Sequence, residues 1–415
     1  MYLIALSGHQ SDFLMWHARL PAVVLFMGKS PMFDTRWRRR GSLLVIAATA
    51  LLAALGLCLA DCRADDFSDV TRDEIVRSTP GHLLRVVPLV GGAQSEAKAY
   101  RILYRSTGLG DEPIAVSGAI FVPAGPAPKD GRPIVAWAHP TSGVVDRCAP
   151  SVRPDLSGTI PGLEDLLNQG YIVAATDYEG LGTPGDHPYL FGVSEARSVL
   201  DSVRAARGLR DSGAGNQFAV WGHSQGGQAA LFAGQLAAAY APELKLVGIA
   251  AAAPPTDLAE LFELDRGTES GNSLTAMAIY SWAKRLNLPI DQLVKPDAMP
   301  AVERVANDCI RSIGEFLKEA QDEDKLDAGF LIADPSKLPA WRSIMTENSP
   351  SQELAGVAVL LIQGDGDKTV RPAVTRNYFD QLCHNGVAVE YITLEHVTHI
   401  FTGVLGAPAA VKWIT

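Results

Sequence analysis

The chain has 415 residues, of which 47% are hydrophobic and 20% are charged, and its formal net charge is −10. This length and apolar content are sufficient for a large core in one or two domains, and the even spread of charges argues against a disordered chain. The acidic balance argues against a nucleic acid or another polyanion as a partner.

The N-terminal 64 residues have the organisation of a secretory signal. A basic cluster at residues 36–40 precedes an apolar run at residues 43–59, and the small residues Ala60 and Ala64 follow where a peptidase could cut. We therefore expect residues 1–64 to be removed and the protein to be secreted or periplasmic. The alternative is a membrane anchor formed by residues 43–59, a run close to the shortest that spans a bilayer.

Short apolar runs separated by turn residues predict an α/β fold. Three runs before Val122 are joined by turns of the kind that connect antiparallel strands. Later runs alternate with helical patterns, which indicates a mostly parallel central sheet flanked by helices on both faces. We predict a core formed by residues 65–254 and 350–415. The predicted strands are residues 83–90, 99–104, 114–122, 134–138, 171–176, 218–221, 246–252, 357–362 and 387–392.

A long stretch between two of these strands, 246–252 and 357–362, predicts an insertion. About a hundred residues lie there, far more than a crossover needs. The stretch has helical patterns of its own, including apolar residues three and four apart from Val302 to Ala320. We therefore predict that residues 255–349 form a helical cap over the C-terminal edge of the sheet. The alternative is ordinary packing against the side of the sheet.

The hexapeptide at residues 222–227, GHSQGG, follows an apolar run and precedes an Ala-rich segment. This context predicts a strand, a sharp turn and a helix. Small residues at Gly222 and Gly226 allow a tight turn that exposes the Ser224 hydroxyl at a helix N-terminus. Because a serine needs a base to become a nucleophile, the alternative without one is a glycine-rich turn with a solvated serine.

An acid and a base follow the serine. After the strand at residues 357–362, the spacing favours Asp367 over Asp365 as the carboxylate that orients an imidazole, since Asp365 precedes a glycine and is typical of a turn. After the last predicted strand, His399 is favoured over His396 because it directly precedes an apolar helical stretch. The order serine, aspartate, histidine is that of α/β-hydrolases.

Two backbone N–H groups would complete such a site by stabilising an oxyanion. One is expected from Gln225, the residue after the serine. The other is expected from Thr141, in the loop after the strand at residues 134–138, because Pro140 has no N–H. The neighbouring polar residues that we interpret as structural are His139, His223 and Asp177.

Three motifs occur together: TSG at residues 141–143 before CAPS at 148–151, DYEGLG at 177–182, and the GHSQGG hexapeptide. In combination they resemble the secretory lipase family, typified by fungal lipase A enzymes and their bacterial relatives. The resemblance runs from His82 to the C-terminus. It implies an α/β-hydrolase with a helical lid and activity on carboxylic esters, often acylglycerols. It also implies a disulfide between Cys148 and a lid cysteine, for which Cys309 is the candidate.

The sequence thus predicts a serine hydrolase that cleaves carboxylic esters through Ser224, Asp367 and His399. We expect an ester substrate, transient contact of the cap with a lipid interface, and no nucleic-acid partner. A peptidase or amidase, an acyltransferase and a non-catalytic binding protein are the alternatives, because a fold does not determine the bond that is cleaved. The sequence has no metal-ligand spacing, P-loop or dinucleotide fingerprint, so no metal or cofactor is expected.

Overall fold

The computed structural model describes most of the chain after the predicted signal. The predicted signal at residues 1–64, with the alternative anchor at residues 43–59, lies outside the described residues. Within the described part, no helix is both long and apolar enough to cross a membrane. The described residues are 67–89, 96–310, 326, 329–354 and 356–415.

The centre of the described chain is a sheet of nine strands, which appear at the positions that the apolar runs predict. Most strand ends differ from the prediction by one to three residues. The largest difference is in the strand that leads to Ser224, which begins at Ala214, earlier than predicted, because its first four residues are exposed or half-buried and carry no apolar pattern. The strands are β1 (Leu83–Pro88), β2 (Lys98–Thr107), β3 (Pro113–Val122), β4 (Arg132–Ala138), β5 (Ile172–Thr176), β6 (Ala214–His223), β7 (Lys245–Ala252), β8 (Val359–Gly364) and β9 (Val389–Leu394).

The sheet is antiparallel at one edge and parallel elsewhere. Its order is β1-β2-β3-β5-β4-β6-β7-β8-β9. The pairs from β1 to β3 and the β3–β5 pair are antiparallel, whereas every pair from β5 across to β9 is parallel. All five residues of β5 are buried, as expected for a strand covered on both faces. The predicted mostly parallel α/β sheet is therefore confirmed.

Helices cover both faces of the sheet and fill the long connection between β7 and β8. One apolar core contains residues of the helices at 192–208, 225–240 and 372–384, and the core on the opposite face contains residues of the helices at 163–168 and 399–414. The described α-helices are α1 (Arg72–Arg77), α2 (Leu163–Asn168), α3 (Gly192–Gly208), α4 (Gln225–Tyr240), α5 (Leu258–Leu264), α6 (Glu269–Leu286), α7 (Met299–Asn307), α8 (Pro339–Glu347), α9 (Pro372–His384) and α10 (His399–Ile414).

The connection between β7 and β8 contains α5 to α8, which share a third apolar core. Trp282 of α6, Val302 of α7 and Trp341 of α8 are buried in it, together with Tyr189 from the loop after β5. The predicted helix from Val302 to Ala320 is wrong in its extent, since α7 ends at Asn307. At that point Asp308 has an extended backbone, with its N–H bonded to the carbonyl of Val305. Residues 311–325 are outside the described part.

A disulfide joins Cys148, in the loop after β4, to Cys309, which follows α7. The two cysteines are separated by 161 positions in the sequence. Next to the bridge, the Ile310 N–H donates to the Ser142 carbonyl at 2.9 Å. The disulfide therefore ties the helical connection to the β4 loop, and its partners are the two cysteines that the family resemblance implied.

Candidate active site

Ser224 lies at a sharp turn between β6 and α4. Its backbone has φ 56° and ψ −122°, a strained conformation that a non-glycine residue rarely adopts. A Cβ atom at Gly222 would lie 2.1 Å from the Gly226 carbonyl oxygen, and one at Gly226 would lie 1.9 Å from the Ala138 carbonyl oxygen. Both positions therefore require glycine. The Ser224 N–H is anchored to the Ala252 carbonyl of β7 at 2.9 Å.

His399, the first residue of α10, lies between Ser224 and Asp367. Its Nε2 is 2.8 Å from the Ser224 Oγ, and its Nδ1 is 2.8 Å from the Asp367 Oδ2. The structure thus brings together the three residues that the sequence favoured, and it aligns them so that one ring nitrogen faces the hydroxyl and the other faces the carboxylate. This is the arrangement in which an imidazole can accept a serine proton.

The loop after β8 holds the Asp367 carboxylate with several donors. The N–H groups of Thr369 and Val370 each lie 2.9 Å from its Oδ1, and the Gln363 side-chain amide donates to Oδ2 at 3.0 Å. Burial acts to raise the pKa of Asp367, but the attraction of His399 and these hydrogen bonds outweigh it and lower the pKa below its ordinary value. Asp367 is therefore ionised across the physiological range.

The alternative acid and base lie apart from the serine. Asp365 is exposed, and its carboxylate accepts a hydrogen bond from the N–H of His396. His396 is also exposed and has φ 60°, so it forms part of the turn before α10. Asp365 and His396 therefore contact each other, and no hydrogen bond in the described part of the chain joins either of them to Ser224.

The two expected oxyanion donors are placed on neighbouring elements. Gln225 is the first residue of α4, where a backbone N–H has no acceptor within the helix. Thr141 follows β4, and its hydroxyl is 2.7 Å from the Tyr189 hydroxyl. The β4 loop touches the serine turn, as the close approach of Gly226 to Ala138 shows. The role of both residues in stabilising an oxyanion stays a prediction.

The polar residues interpreted as structural are buried and hydrogen-bonded. The His223 Nε2 is 2.9 Å from the His399 carbonyl, and burial, assisted by the neighbouring His399, lowers the pKa of His223 to about 3. The His139 Nδ1 is 2.7 Å from the Pro140 carbonyl, and burial lowers its pKa as well. Asp177 accepts hydrogen bonds from the Ser117 hydroxyl and the Ser151 N–H. These contacts fix the loops around the site.

A cavity of about 50 Å³ lies beside Ser224, between the sheet and the helical connection. Its lining is mainly apolar and includes Leu258 and Phe262 of α5 and Leu274 of α6. Asp265, the residue after α5, adds a carboxyl group that is 3.3 Å from the Arg371 guanidinium. Burial outweighs this attraction and raises the pKa of Asp265 to about 6. The cavity can therefore accept an apolar group next to the serine.

Two buried residues of the site were missed by the sequence analysis. Glu195 lies on the buried side of α3, one turn before Val199, where a charged residue interrupts the apolar stripe; that interruption was the available signal. His187, in the loop after β5, had no comparable signal. Both contact the side chain of Gln225. Among the described residues, no cluster of three or more His, Cys, Asp or Glu side chains could hold a metal ion.

The strand order, the helices on both faces and the strained serine turn define the protein as an α/β-hydrolase. The secretory lipase family matches residues 160–415, more than half of the chain, and the chain belongs to that family.

Relatives of known description agree with this family. A Mycobacterium tuberculosis protein named "probable inactive lipase" is 25% identical over 367 residues, which cover 81% of this chain and 78% of that protein. Lipase A of Moesziomyces aphidis is 29% identical over 264 residues, which cover 58% of this chain and 55% of that protein.

Solved structures show the same fold. Lipase A of Candida antarctica in its closed state has a TM-score of 0.69 at 19% identity and is matched over 85% of this chain and 86% of its own. The rice cell wall degrading esterase LipA from Xanthomonas oryzae has a TM-score of 0.68 at 22% identity, with 81% and 98% covered. At these identities the similarity shows the fold alone.

Proposed function

We propose that the protein is a secreted lipase or esterase that cleaves carboxylic esters, of acylglycerols or related compounds, through an acyl-enzyme on Ser224. The observation that carries this proposal is the hydrogen-bonded series from Asp367 through His399 to Ser224, with both distances 2.8 Å. Family membership and the named relatives support an ester as the bond cleaved. The name of the Mycobacterium tuberculosis relative describes that protein, and in this chain Ser224, Asp367 and His399 are all present.

The first half of the reaction forms the acyl-enzyme. His399 Nε2 accepts the proton of Ser224 as its Oγ attacks the ester carbonyl, and the Asp367 carboxylate stabilises the imidazolium that results. The backbone N–H groups of Gln225 and Thr141 donate hydrogen bonds to the oxyanion. Each such donor contributes about 2.7–4 kcal/mol to the stability of the transition state. The tetrahedral intermediate then collapses: the bond from its central carbon to the alcohol oxygen breaks as His399 protonates that oxygen, and the alcohol leaves.

The second half releases the acid. Water enters the position of the departed alcohol, and His399 removes its proton as the water oxygen attacks the acyl carbonyl. The tetrahedral intermediate uses the same two N–H donors. When it collapses, His399 returns the proton to the Ser224 oxygen and the carboxylic acid leaves. The strained backbone at Ser224 keeps the hydroxyl above the sheet throughout.

The helical connection would determine which esters enter. We assign residues 255–349 as the cap, because its helices have their own apolar core and line the cavity beside Ser224. The apolar lining suits the acyl part of an ester, and transient contact of the cap with a lipid interface would deliver it. Secretion through the signal at residues 1–64 agrees with the Cys148–Cys309 disulfide, because such bonds persist in oxidising compartments.

The test compares the purified protein with Ser224→Ala on p-nitrophenyl butyrate. The variant should lose about 10⁴-fold or more in kcat. Ser198→Ala is the matched control, because Ser198 is a buried serine of α3 whose hydroxyl donates to the Ser194 carbonyl within the helix. Equal hydrolysis by wild type and Ser224→Ala, with both folded, would rule the assignment out.

The same preparation separates the alternatives. A matched p-nitroanilide that is hydrolysed faster than the ester would indicate a peptidase or amidase. Transfer of the acyl group to an added alcohol in preference to water would indicate an acyltransferase. A folded protein that turns over none of these substrates and leaves Ser224 unmodified by a fluorophosphonate would indicate a binding protein.

A further inference from the structure

The side chain of Gln225 is held beneath the serine turn by two acceptors. Its amide nitrogen Nε2 lies 2.7 Å from the Glu195 Oε1 and 3.2 Å from the His187 Nε2. Gln225 itself is 1% exposed, so water cannot compete for these donors. Both N–H bonds of the carboxamide are therefore used, and the residue that follows the candidate nucleophile is fixed at its side chain as well as at its backbone.

His187 is oriented to accept. Its Nδ1 lies 2.7 Å from the Glu179 carbonyl, and since a carbonyl can only accept, Nδ1 carries the proton. Burial lowers the pKa of His187 to about 3, so the ring is neutral and Nε2 has a free lone pair. The Gln225 amide donates to that lone pair.

Glu195 provides the second acceptor from the first turn of α3. Its Oε1 accepts from the Leu190 N–H at 3.0 Å as well as from Gln225. Leu190 has φ 60°, a conformation that aims this N–H at the carboxyl group. Glu195 is completely buried, and its other oxygen, Oε2, has no hydrogen-bond partner among the described residues.

Among the described residues, no cation contributes to the pKa of Glu195; besides burial, the groups that affect it are its hydrogen-bond partners, the Gln225 side chain and the Leu190 N–H. The neighbouring titratable groups are Tyr178 and Tyr189, whose pKa values Glu195 helps to raise, and His187, which shares its contact with Gln225. An unpaired buried carboxylate is costly, so burial raises the pKa of Glu195 to about 8 and the group is mainly protonated at neutral pH. A neutral carboxyl can accept the amide hydrogen bond without placing a negative charge behind the position of an oxyanion.

We propose that Glu195 is a positioning residue for the oxyanion hole: together with His187 it clamps the Gln225 carboxamide and thereby fixes the Gln225 backbone N–H that receives the oxyanion. The inference rests on the proposed function, because it assigns a task within the same site. Its physical basis is that an oxyanion donor is effective only when it is held at the right place before the reaction, with no reorganisation during it.

The experiment measures kcat and KM on p-nitrophenyl butyrate for wild type, Glu195→Gln and Glu195→Ala. Glu195→Gln keeps a neutral acceptor of the same shape, and its kcat should stay within about threefold of wild type. Glu195→Ala should lower kcat by about 10–100-fold, less than complete loss of an oxyanion donor, with KM changed by less than about threefold. Ser198→Ala, one turn further along α3, should behave as wild type.

A double-mutant cycle tests whether Glu195 acts through Gln225. Gln225→Ala retains the backbone N–H but removes the clamped side chain, so it should reproduce the loss of Glu195→Ala. The double variant should lose no more than Gln225→Ala alone, because the two residues share one task. A purely structural role for Glu195 predicts additive losses. If Glu195→Ala does not fold, Glu195→Met, which fills the space without an acceptor, takes its place.

Three results would overturn the inference: full additivity in the cycle, a kcat for Glu195→Ala within threefold of wild type, or equal losses for Glu195→Gln and Glu195→Ala. Failure of the proposed function is a separate outcome. It would appear as hydrolysis by wild type that does not depend on Ser224, whereas Ser224-dependent hydrolysis that is insensitive to Glu195 removes only the positioning role.

Discussion

The sheet and the helical connection between β7 and β8 differ in how they relate to the site. The sheet supplies Ser224 at the end of β6, Asp367 after β8 and His399 after β9, each on an element whose hydrogen bonds fix the backbone. The helical connection supplies the apolar residues that face the cavity and forms its own core around Trp282. The candidate reacting groups are therefore positioned by the sheet, and we propose that the connection controls access and substrate shape.

The two regions are joined by several directed contacts, of which three lie at different places around the site. The Cys148–Cys309 disulfide lies at one side, and the Asp265–Arg371 ion pair lies next to the cavity. The Trp282 indole N–H donates to the Tyr189 carbonyl at 2.8 Å. If the sheet alone holds the reacting groups, changes at these contacts should alter stability more than chemistry, whereas changes at strand ends should do the reverse.

The largest expected effect is on the base. His399→Ala should lower kcat by about 10⁴-fold or more while leaving the free energy of unfolding within about 1 kcal/mol, because the ring is half-buried at a helix start and its main role is proton transfer. His396→Ala is the matched control, three residues earlier on an exposed turn, and should keep nearly full activity. Steady-state kinetics and thermal unfolding check both. A greater loss for His396→Ala would reverse the assignment.

The disulfide should affect stability and leave chemistry nearly intact. Replacing Cys148 and Cys309 together by serine opens a loop of 161 positions and should lower the free energy of unfolding by about 2–5 kcal/mol, with kcat at 25 °C within about threefold. Cys383→Ser, at the exposed free cysteine, should change neither quantity. Denaturant titration under matched conditions provides the measurement. A collapse of kcat in the folded double variant would show that the connection also positions the reacting groups.

A smaller, pH-dependent effect is expected at Asp265. The folded state raises the pKa of this carboxyl to about 6, above its ordinary value of 3.8, so the folded protein binds the proton more tightly than the unfolded chain does. Asp265 therefore contributes to the free energy of unfolding below about pH 4, and this contribution, at most about 3 kcal/mol, is lost as the pH rises through about 6.

Asp265→Asn should therefore gain stability relative to wild type between pH 4 and pH 6, and the difference should be constant above pH 7. Denaturant unfolding at pH 4.5, 5.5 and 7.5 measures it, with Asp291→Asn, at an exposed position in a short 3-10 helix of the same region, as the control. A difference that shrinks or changes sign as the pH rises would mean that the ion pair with Arg371 dominates over burial.

Much of the fold could be predicted because the strands that flank the site are continuous apolar runs between turn residues. The serine turn was predictable for a stronger reason: only glycine fits at 222 and 226, so steric necessity is visible in the sequence. The choice between His399 and His396 was harder, since both follow the same strand. The apolar stretch after His399 favoured it, and the backbone conformations, a helix start at His399 and a left-handed turn at His396, then separate the two in the structure.

The helical connection and the Gln225 clamp were less predictable. The apolar stripe after Val302 continued past the point where α7 ends, because a periodic pattern does not record where a disulfide directs the chain. The clamp joins His187, Glu195 and Gln225, which are local neighbours in space but belong to a loop and two helices. No spacing rule relates such residues. The one signal in the sequence was Glu195, a charged residue that interrupts the apolar face of α3.

The proposed function requires that His399 and Asp367 make the Ser224 hydroxyl a nucleophile. The most direct measurement is peptide mapping by mass spectrometry after treatment of the folded protein with a fluorophosphonate. We predict one stoichiometric adduct on Ser224 in wild type and a large decrease in its rate of formation in His399→Ala. Two results would rule this out. One is an unmodified Ser224 in folded protein that was active before treatment. The other is an equal rate of adduct formation in wild type and His399→Ala.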